Sequence, residues 1–342
     1  MTEGAIARDF ATTAVLPPVP GLRFRHFAGP SDYPGMNDAA NDSRVADEDA
    51  FITPLEGFAN FYDHLVNSDR DRDIVVVEID GAIVGYARTE WRVQNGDERV
   101  HELICFLRRA WRRRGIGRAL LATIEARAAE VGAGLEPAEK SLFQVFGHVG
   151  DGGLPALMSE AGYEPVRHGF QMVRPTLDDQ PDVHLLEGLE IREVQDEHFC
   201  QIWDASDEAF RDHWGYSLPT EADYELFLND PLSRDRSLWR IAWDGDEVAG
   251  QVRGYINEDE NRLHNRRRGW VENISVGRPW RHRGLARALI NATFKVLRDR
   301  GMTEGALGVD AQNPTGALRV YESVGFRPVS QSTTYRKPMP PA

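Results

Sequence analysis

The sequence predicts an α+β protein built from two tandem domains, each a mixed, mostly antiparallel sheet flanked by helices. Two basic, glycine-containing turns, residues 112–120 and 281–289, are nearly alike although 169 positions separate them. Each turn follows an apolar strand pattern and leads into an amphipathic helix pattern. This internal repeat, in a chain of 342 residues, indicates two domains of one type rather than one large domain.

Each copy begins with a short strand and a hairpin. Residues 21–25 resemble residues 188–192, which predicts the opening strand of each copy. Residues 74–86 and 239–251 each contain two apolar runs joined by Asp-Gly, the dipeptide typical of tight hairpin turns. These matching patterns extend the repeat well beyond the two basic turns.

The second part of each copy contains the basic turn between two further strands. Residues 101–107 and 270–276 are the strands that precede the turns, and the helix patterns follow directly. A further strand and a short helix come next, and that helix ends at a glycine in the C-cap position, Gly162 or Gly325. One last strand closes each copy.

These elements predict the boundaries of the domains. Residues 1–20 contain three prolines in their last four positions and are expected to form a flexible leader. The N-terminal domain is predicted at 21–173 and the C-terminal domain at 188–342. Residues 174–187, which are rich in proline and aspartate, are predicted to be the linker.

The composition favours a cytoplasmic protein and argues against several kinds of partner. A net charge of −14 argues against binding to nucleic acid or to an anionic membrane, and no apolar run is long enough to span one. The only cysteines, Cys105 and Cys200, form no disulfide framework. The histidines show no metal-ligand spacing, so we expect no metal site.

Both basic turns are suited to bind a diphosphate. Free amide groups and the positive end of the helix dipole meet at the start of each helix. Arginines at that position repel the dipole unless an anion is bound, which disfavours a simple solvated surface. Gly115 and Gly284 would let the backbone approach the anion closely.

Two motifs suggest a family. Each turn has the pattern Arg or Gln, two residues, Gly, one residue, Gly or Ala, in Arg112, Gly115 and Gly117 and in Arg281, Gly284 and Ala286. Only the second copy also has Asn-x-x-x-Ala-x-x-x-Tyr-x-x-x-Gly-Phe, at residues 313–326. Together they resemble the signatures of the GNAT superfamily of acyl-CoA-dependent N-acyltransferases, over about residues 22–337.

The resemblance implies acetyl-CoA as cofactor and names the residues that would hold it. Strand-end amides would bind the thioester oxygen, and the turn would bind the diphosphate. In the C-terminal domain these residues are Ile274, Ser275, Val276, Arg281, His282, Arg283, Gly284, Leu285, Ala286, Arg287 and Asn313. In the N-terminal domain they are Leu107, Arg112, Arg113, Arg114, Gly115, Ile116, Gly117 and Arg118.

The resemblance also implies the catalytic residues. Tyr321 would be the general acid that protonates the leaving thiolate, and Glu272 could accept the proton of the amine. Alternatively, Tyr321 is a packed core aromatic and Glu272 a solvent-facing or salt-bridged side chain. The first copy has Met158 and Gly150 at the positions of Tyr321 and Asn313, which predicts a catalytically degenerate N-terminal domain.

Residues 203–216 alternate acidic and aromatic side chains, and in this family the region lies on the acceptor side of the cleft. Glu208 and Trp214 are therefore candidates to bind a cationic amine. The alternative is an amphipathic surface helix whose acidic side chains are solvated.

The predicted activity is direct transfer of the acetyl group of acetyl-CoA to a primary amine of a small molecule. One alternative is acetylation of a cysteinyl amine linked to an aminosugar, as in tandem members of the superfamily. Another is a non-catalytic module that binds acyl-CoA. We expect a monomer or a homodimer.

Overall fold

The computed structural model of the chain describes residues 9–12, 14–94, 97–148, 150, 153–179, 183–313 and 316–340. The chain forms two compact units. Unit 1 contains residues 1–167 and 332–342, and unit 2 contains residues 168–331. Within the described ranges, no helix is both long enough and apolar enough to cross a membrane.

The elements of the two halves follow the predicted order. The first half contains β1 (Leu22–His26), α1 (Tyr33–Ala46), α2 (Leu55–Asp63), α3 (Arg70–Asp73), β2 (Ile74–Ile79), β3 (Ala82–Gln94), β4 (Glu98–Leu107), α4 (Ile116–Ala133), β5 (Lys140–His148), α5 (Gly153–Glu160) and β6 (Glu164–Arg174). The second half contains β7 (Leu189–Arg192), α6 (Phe199–Phe210), α7 (Glu221–Leu228), β8 (Trp239–Asp244), β9 (Glu247–Tyr255), α8 (Glu258–Leu263), β10 (Arg268–Val276), α9 (Leu285–Asp299), β11 (Glu304–Asp310), α10 (Ala317–Ser323) and β12 (Arg327–Pro338).

Each unit has a mixed, mostly antiparallel sheet, which confirms the predicted fold class. Among the described residues, unit 1 has the strand order β1-β2-β3-β4-β5-β12 and unit 2 the order β7-β8-β9-β10-β11-β6. The β4–β5 and β10–β11 pairs are parallel, and the other pairs are antiparallel. The parallel pairs are joined by the crossover helices α4 and α9.

The last strand of each copy lies partly outside the domain to which the prediction assigns it. Residues 169–174 of β6 pair with β11 in unit 2, although the prediction assigns them to the first domain up to residue 173. Residues 332–338 of β12 pair with β5 in unit 1. Alternation of apolar residues specifies which face of a strand is buried but not which strand lies beside it, so the repeat could not reveal this exchange.

The helix that follows each basic turn packs on its sheet through one apolar face. In α9, Leu285, Leu289 and Phe294 are buried in the main core of unit 2 together with strands β9–β11. In α4, Ile116 and Leu120 occupy the corresponding core of unit 1. These helices fix the position of the turns relative to the strand ends, which is what the functional site requires.

The predicted leader is partly packed on unit 1. Phe10 is buried, and its amide donates to the carbonyl of Phe24, while Leu16 and Val19 pack on the core. These three apolar side chains hold part of the segment against unit 1, although its prolines suggested a flexible leader. Residues 1–8 and 13 lie outside the described residues.

The predicted linker also packs, in this case on unit 2. Leu177 is buried, and its amide donates to the carbonyl of Thr303. Residues 180–182 of the linker lie outside the described residues.

Candidate functional site

The two basic turns have the same backbone conformation. His282 and Gly284 have φ values of 60° and 86°, and Arg113 and Gly115 have values of 61° and 84°. Two left-handed residues separated by one residue turn successive N–H groups toward one side, which makes a concave anion site. A Cβ on Gly284 would meet nothing within 4 Å, so glycine is needed there for its φ and not for space.

Helix α9 adds free donors to the second turn. The first helical hydrogen bond runs from the amide of Ala288 to the carbonyl of Gly284, and no side chain caps the helix. The amides of Leu285, Ala286 and Arg287 therefore have no partner within the helix. With the positive end of the helix dipole, they favour an anion at this position.

The first arginine of each motif binds protein rather than facing open solvent. Nε of Arg281 donates to the carbonyl of Val276 at 3.0 Å, and Nη2 donates to the carbonyl of Ala209 at 3.1 Å. Arg112 likewise donates to the carbonyls of Leu107 and Ser43. In each unit this side chain links the end of the strand to an earlier helix, α1 in unit 1 and α6 in unit 2. Because the arginine is engaged in these bonds, the N–H groups of the turn are the donors for an anion.

A cleft of about 430 Å³ opens beside the second turn. Its walls come from the end of β10, the turn and start of α9, one face of α10 and the end of α6. The lining residues are Ala209, Phe210, His213, Ile274, Ser275, Val276, Trp280, Arg281, His282, Gly284, Leu285, Ala286, Arg287, Ala317, Val320 and Tyr321. Of the predicted cofactor residues in this domain, Arg283 and Asn313 are not among them. The sequence reasoning did not identify Phe210, His213 or Trp280.

The cleft begins where two strands diverge. β10 pairs with β11 only over residues 268–270, and beyond Trp270 the two strands separate. The pairing of β10 with β9 shifts between Glu272 and Ser275, and Asn273 has a φ of 48°. An extra residue of this kind is a β-bulge, which bends the strand and leaves backbone groups unpaired. The hydroxyl of Ser206 donates to Oδ1 of Asn273 at 2.9 Å and holds the bulge to α6.

Unit 1 lacks this bulge. β3 and β4 pair without a register shift from Gly85–Leu107 to Gln94–Glu98. A constant offset of 169 between the copies would make Leu103 the equivalent of Glu272. Because β10 has one extra residue, the equivalent by strand pairing is Ile104, which lies opposite Arg88. The first unit therefore has neither the bulge nor a carboxylate at this position.

Glu272 lies in the fork between β10 and β11. Its Oε1 accepts a hydrogen bond from the amide of Gly308 on β11 at 2.9 Å. The carboxylate lies in a narrow crevice where protein replaces most of the surrounding water, and this desolvation raises its pKa to about 7. The Gly308 amide and the charge of Arg253 act in the opposite direction and limit the rise in pKa.

Tyr321 lies on α10 and lines the cleft. Burial, and then the nearby charge of Glu272, raise the pKa of its phenol well above the ordinary value, so the phenol keeps its proton at neutral pH. The ring also packs against the ring of Phe326, with the centroids 6.3 Å apart. The corresponding position in unit 1 holds Met158, which is buried in the core.

The motif that contains Tyr321 is described only in part. The amide of Asn313 donates to the carbonyl of Asp310, and α10 begins at Ala317 after Gly316, which has a φ of 73°. Pro314 and Thr315 lie outside the described residues.

Comparison with known proteins is consistent with this geometry. Residues 37–139 and 200–326 match the Acetyltransferase (GNAT) family, once in each half of the chain. The chain belongs to the GNAT family. It is an acyltransferase, and the predicted tandem arrangement of two GNAT domains is confirmed.

Similar proteins include curated enzymes and solved GNAT structures. The mycothiol acetyltransferase of Geodermatophilus obscurus is 29% identical over 78% of this chain and 82% of its own. That of Salinispora arenicola is 28% identical over 90% and 94%. A GCN5-related N-acetyltransferase from Sphaerobacter thermophilus has a TM-score of 0.68 at 25% identity, over 96% of this chain and 98% of its own. A tandem GNAT protein from the clavulanic acid pathway has a TM-score of 0.64 at 16% identity, over 94% and 99%, and supports the fold alone.

The two predicted acceptor residues of this GNAT protein lie apart from the cleft lining. Glu208 forms an ion pair at 2.5 Å with Arg278, which lies three residues before the second turn, and another with Arg211. Trp214 is 36% exposed. The acidic side chains at the end of α6 thus face the basic turn, because Asp212 also pairs with Arg278 and approaches Arg281. Because neither Glu208 nor Trp214 lines the cleft, a role for them in binding an amine stays a prediction.

Proposed function

We propose that unit 2 transfers the acetyl group of acetyl-CoA to a primary amine of a small molecule by direct attack. The observation that carries the proposal is that Tyr321 lines the cleft together with the anion-binding turn and lies close enough to Glu272 for the charge of that carboxylate to raise its pKa. An acid and a diphosphate site that share one cleft, with a carboxylate close to the acid, meet the requirements of this reaction.

The residues of the cleft fit an acyl-CoA. The left-handed turn and the start of α9 would hold the diphosphate through main-chain donors from His282 to Arg287. The bulged strand end at Ile274–Val276 would receive the acyl end, since its backbone groups are released from regular pairing. When bound, acetyl-CoA supplies a thioester that is activated for transfer to an amine.

Glu272 accepts the proton of the attacking amine at a carboxylate oxygen. A base whose pKa is about 7 is partly deprotonated at neutral pH and still basic enough to accept a proton. Its hydrogen bond from Gly308 orients one oxygen, and no described residue forms a hydrogen bond with the second, which can accept from the amine or from a water molecule.

Tyr321 supplies a proton to the departing thiolate. Its raised pKa keeps the phenol protonated over the working pH range, and Tyr321 lines the same cleft as the strand end at Ile274–Val276. Phenylalanine preserves the packing against Phe326 and removes only the hydroxyl.

The test measures release of free thiol from acetyl-CoA with a panel of amines. Tyr321→Phe should lower kcat about 100- to 10,000-fold, the usual contribution of a general acid, while acetyl-CoA binding by calorimetry stays unchanged. Tyr163→Phe is the matched control in unit 1, where the phenol donates to Glu125 instead. Unchanged kcat in Tyr321→Phe would contradict the acid role.

A second candidate acceptor is the cysteinyl amine of an aminosugar conjugate, the reaction type of mycothiol synthase. It is favoured by the relatives named mycothiol acetyltransferase, which align over most of this chain. A kcat/KM for such a conjugate at least 100-fold above that for simple amines would support it, and equal values would favour a broader acceptor range.

We propose that unit 1 is catalytically inactive, although its turn keeps the conformation that suits a diphosphate. It has Met158 in place of the acid, Ile104 in place of the base and no bulge. Its turn is also more crowded than that of unit 2. A Cβ on Gly115 would lie 3.2 Å from Pro17, whereas a Cβ on Gly284 would meet nothing within 4 Å. Counting acetyl-CoA sites by calorimetry in the wild type and in Gly284→Val tests whether unit 1 binds the cofactor.

A further inference from the structure

Arg253 is placed beside the proposed base on the face of the sheet that α6 and α7 cover. It pairs directly with Glu272 across β9 and β10, so the two side chains project from the same face as neighbours. Two residues earlier on β9, the side chain of Gln251 donates to the carbonyl of Ile202 in α6, which identifies this face. The guanidinium of Arg253 lies 4.9 Å from the ring centroid of Phe227 in α7.

This guanidinium has unused hydrogen-bond donors. In the described part of the chain, Arg253 takes part in no hydrogen bond and no ion pair, and only the ring faces of Phe227 and Trp239 hold it. Burial, and then the charge of Arg236, lower its pKa to about 10. The donors of a partly buried guanidinium need oxygen acceptors, which water or a ligand can supply, so this side chain is available to a ligand.

In the first unit, the arginine at the same position has an ion-pair partner. Arg88 occupies the register position of Arg253. It lies three residues after Gly85, and Arg253 lies three residues after the equivalent Gly250. Arg88 also lies over aromatic rings, but it forms an ion pair with Glu90 at 2.5 Å. In unit 2 the position of Glu90 is occupied by Tyr255. Tyr255 pairs with Trp270 on β10, just as Glu90 pairs with Glu102 on β4. Unit 2 has therefore lost the internal partner while it keeps the arginine.

The spacing of the two side chains limits what they can bind together. Directly opposed residues have Cβ atoms about 5 Å apart. An acceptor that reaches both must carry its reacting amine close to an oxygen atom, as in an aminoacyl group, where three bonds separate the amine nitrogen from the carbonyl oxygen. The carboxylate of Glu272 would receive the amine, and the guanidinium would donate to the oxygen.

We propose that Arg253 is a specificity-determining residue that binds the amide carbonyl or carboxylate oxygen next to the reacting amine of the acceptor. This inference rests on the proposed function, in which Glu272 accepts the proton of that amine. It assigns to unit 2 a preference for aminoacyl amines over simple alkylamines of the same size.

The test uses three probes of similar size: glycinamide and glycine, which carry a neutral and a charged oxygen acceptor, and propylamine, which carries none. In Arg253→Gln, KM for glycinamide or glycine should rise about 10- to 100-fold, the effect of losing a hydrogen bond to a charged group. KM for propylamine and for acetyl-CoA should change less than about threefold, and kcat should stay within a similar range. Arg253→Lys should recover part of the affinity, because it keeps the charge but loses the planar fork.

The matched control is Arg88→Gln, which removes the equivalent arginine of unit 1 and should leave acceptor selectivity unchanged. Thermal unfolding of both variants separates loss of fold from loss of recognition. Equal rises in KM for glycinamide and propylamine in Arg253→Gln, or no rise in either, would overturn the inference.

A binding measurement distinguishes this inference from the proposed function. If the wild type acetylates none of the amines, the proposed function fails, and titration of intrinsic tryptophan emission decides the inference instead. Trp239 lies 5.6 Å from the guanidinium and should respond when glycinamide binds. A response in the wild type that Arg253→Gln lacks supports recognition by Arg253, whereas equal responses refute it.

Discussion

Replacing Glu272 with glutamine should remove activity and at the same time stabilise the fold. Glutamine keeps an oxygen that can accept the hydrogen bond from Gly308, so the local geometry is retained. What disappears is a carboxylate whose pKa is about 7 in the folded chain, against an ordinary value of 4.5. Since general-base catalysis contributes about 100- to 10,000-fold, kcat should fall by an amount in that range.

The gain in stability follows from proton linkage. A carboxyl with a raised folded pKa contributes most to stability below pH 4.5, and this contribution is lost as pH rises from 4.5 to about 7. At about 1.4 kcal/mol for each pH unit, the full loss is about 3 kcal/mol, and solvent access to the crevice reduces it to roughly 1–3 kcal/mol. Glu272→Gln avoids this loss and should raise the Tm of unit 2 at pH 8 by several degrees.

The assay is thermal unfolding of the wild type and Glu272→Gln at pH 8 and at pH 5, with thiol release measured in parallel. Glu322→Gln is the matched control, since this exposed carboxylate is next to Tyr321 in the sequence but outside the fork. A gain in Tm that is equal at both pH values, or a loss at pH 8, would refute the reasoning. In the wild type, kcat/KM should increase with pH through about 7, because the deprotonated carboxylate is the active form.

Three further outcomes are expected. The raised pKa of Tyr321 predicts that the pH profile of kcat shows no alkaline decline below about pH 9, and a decline near pH 8 would contradict the acid assignment. Gly284→Val places a β-branched residue at a φ of 86° and should weaken acetyl-CoA binding at least tenfold by calorimetry, while Gly115→Val leaves turnover unchanged. Arg281→Met removes donors to two carbonyls and should raise KM for acetyl-CoA several-fold in steady-state assays; an unchanged KM would show that the turn needs no support from this side chain.

The sequence predicted the parts of the site that depend on local chemistry. The turn at Gly284 and the start of α9 follow from residue types that favour a left-handed backbone and a helix N-terminus, and both are present. Repetition of the pattern was sufficient to predict two mixed, mostly antiparallel sheets flanked by helices. The order of strands and helices along the chain follows from local sequence patterns, so it could be predicted without knowledge of tertiary contacts.

Features that depend on pairing between distant strands could not be predicted. The bulge at Asn273 changes the register by one residue, and only the pairing partner shows that Glu272 corresponds to Ile104. Glu208 was assigned to the acceptor because acidic and aromatic residues alternate around it, but that pattern does not say that Arg278 lies opposite. Phe210 and His213 belong to the stretch 203–216 that is predicted on the acceptor side of the cleft, but no pattern distinguishes them within it, since their place in the cleft depends on how α6 ends.

The exchange of β6 and β12 has a consequence for biosynthesis. The edge of β5 that β12 covers stays open until residues 332–338 have left the ribosome, long after the rest of unit 1 has been synthesised. An unpaired strand edge can pair with another chain, so nascent unit 1 is exposed to misassembly during that interval. Unit 2, by contrast, receives β6 before its own strands are made. A gene split between the two sequence repeats would therefore leave both sheets one strand short, and a separately produced first half would need residues 332–338 supplied as a peptide.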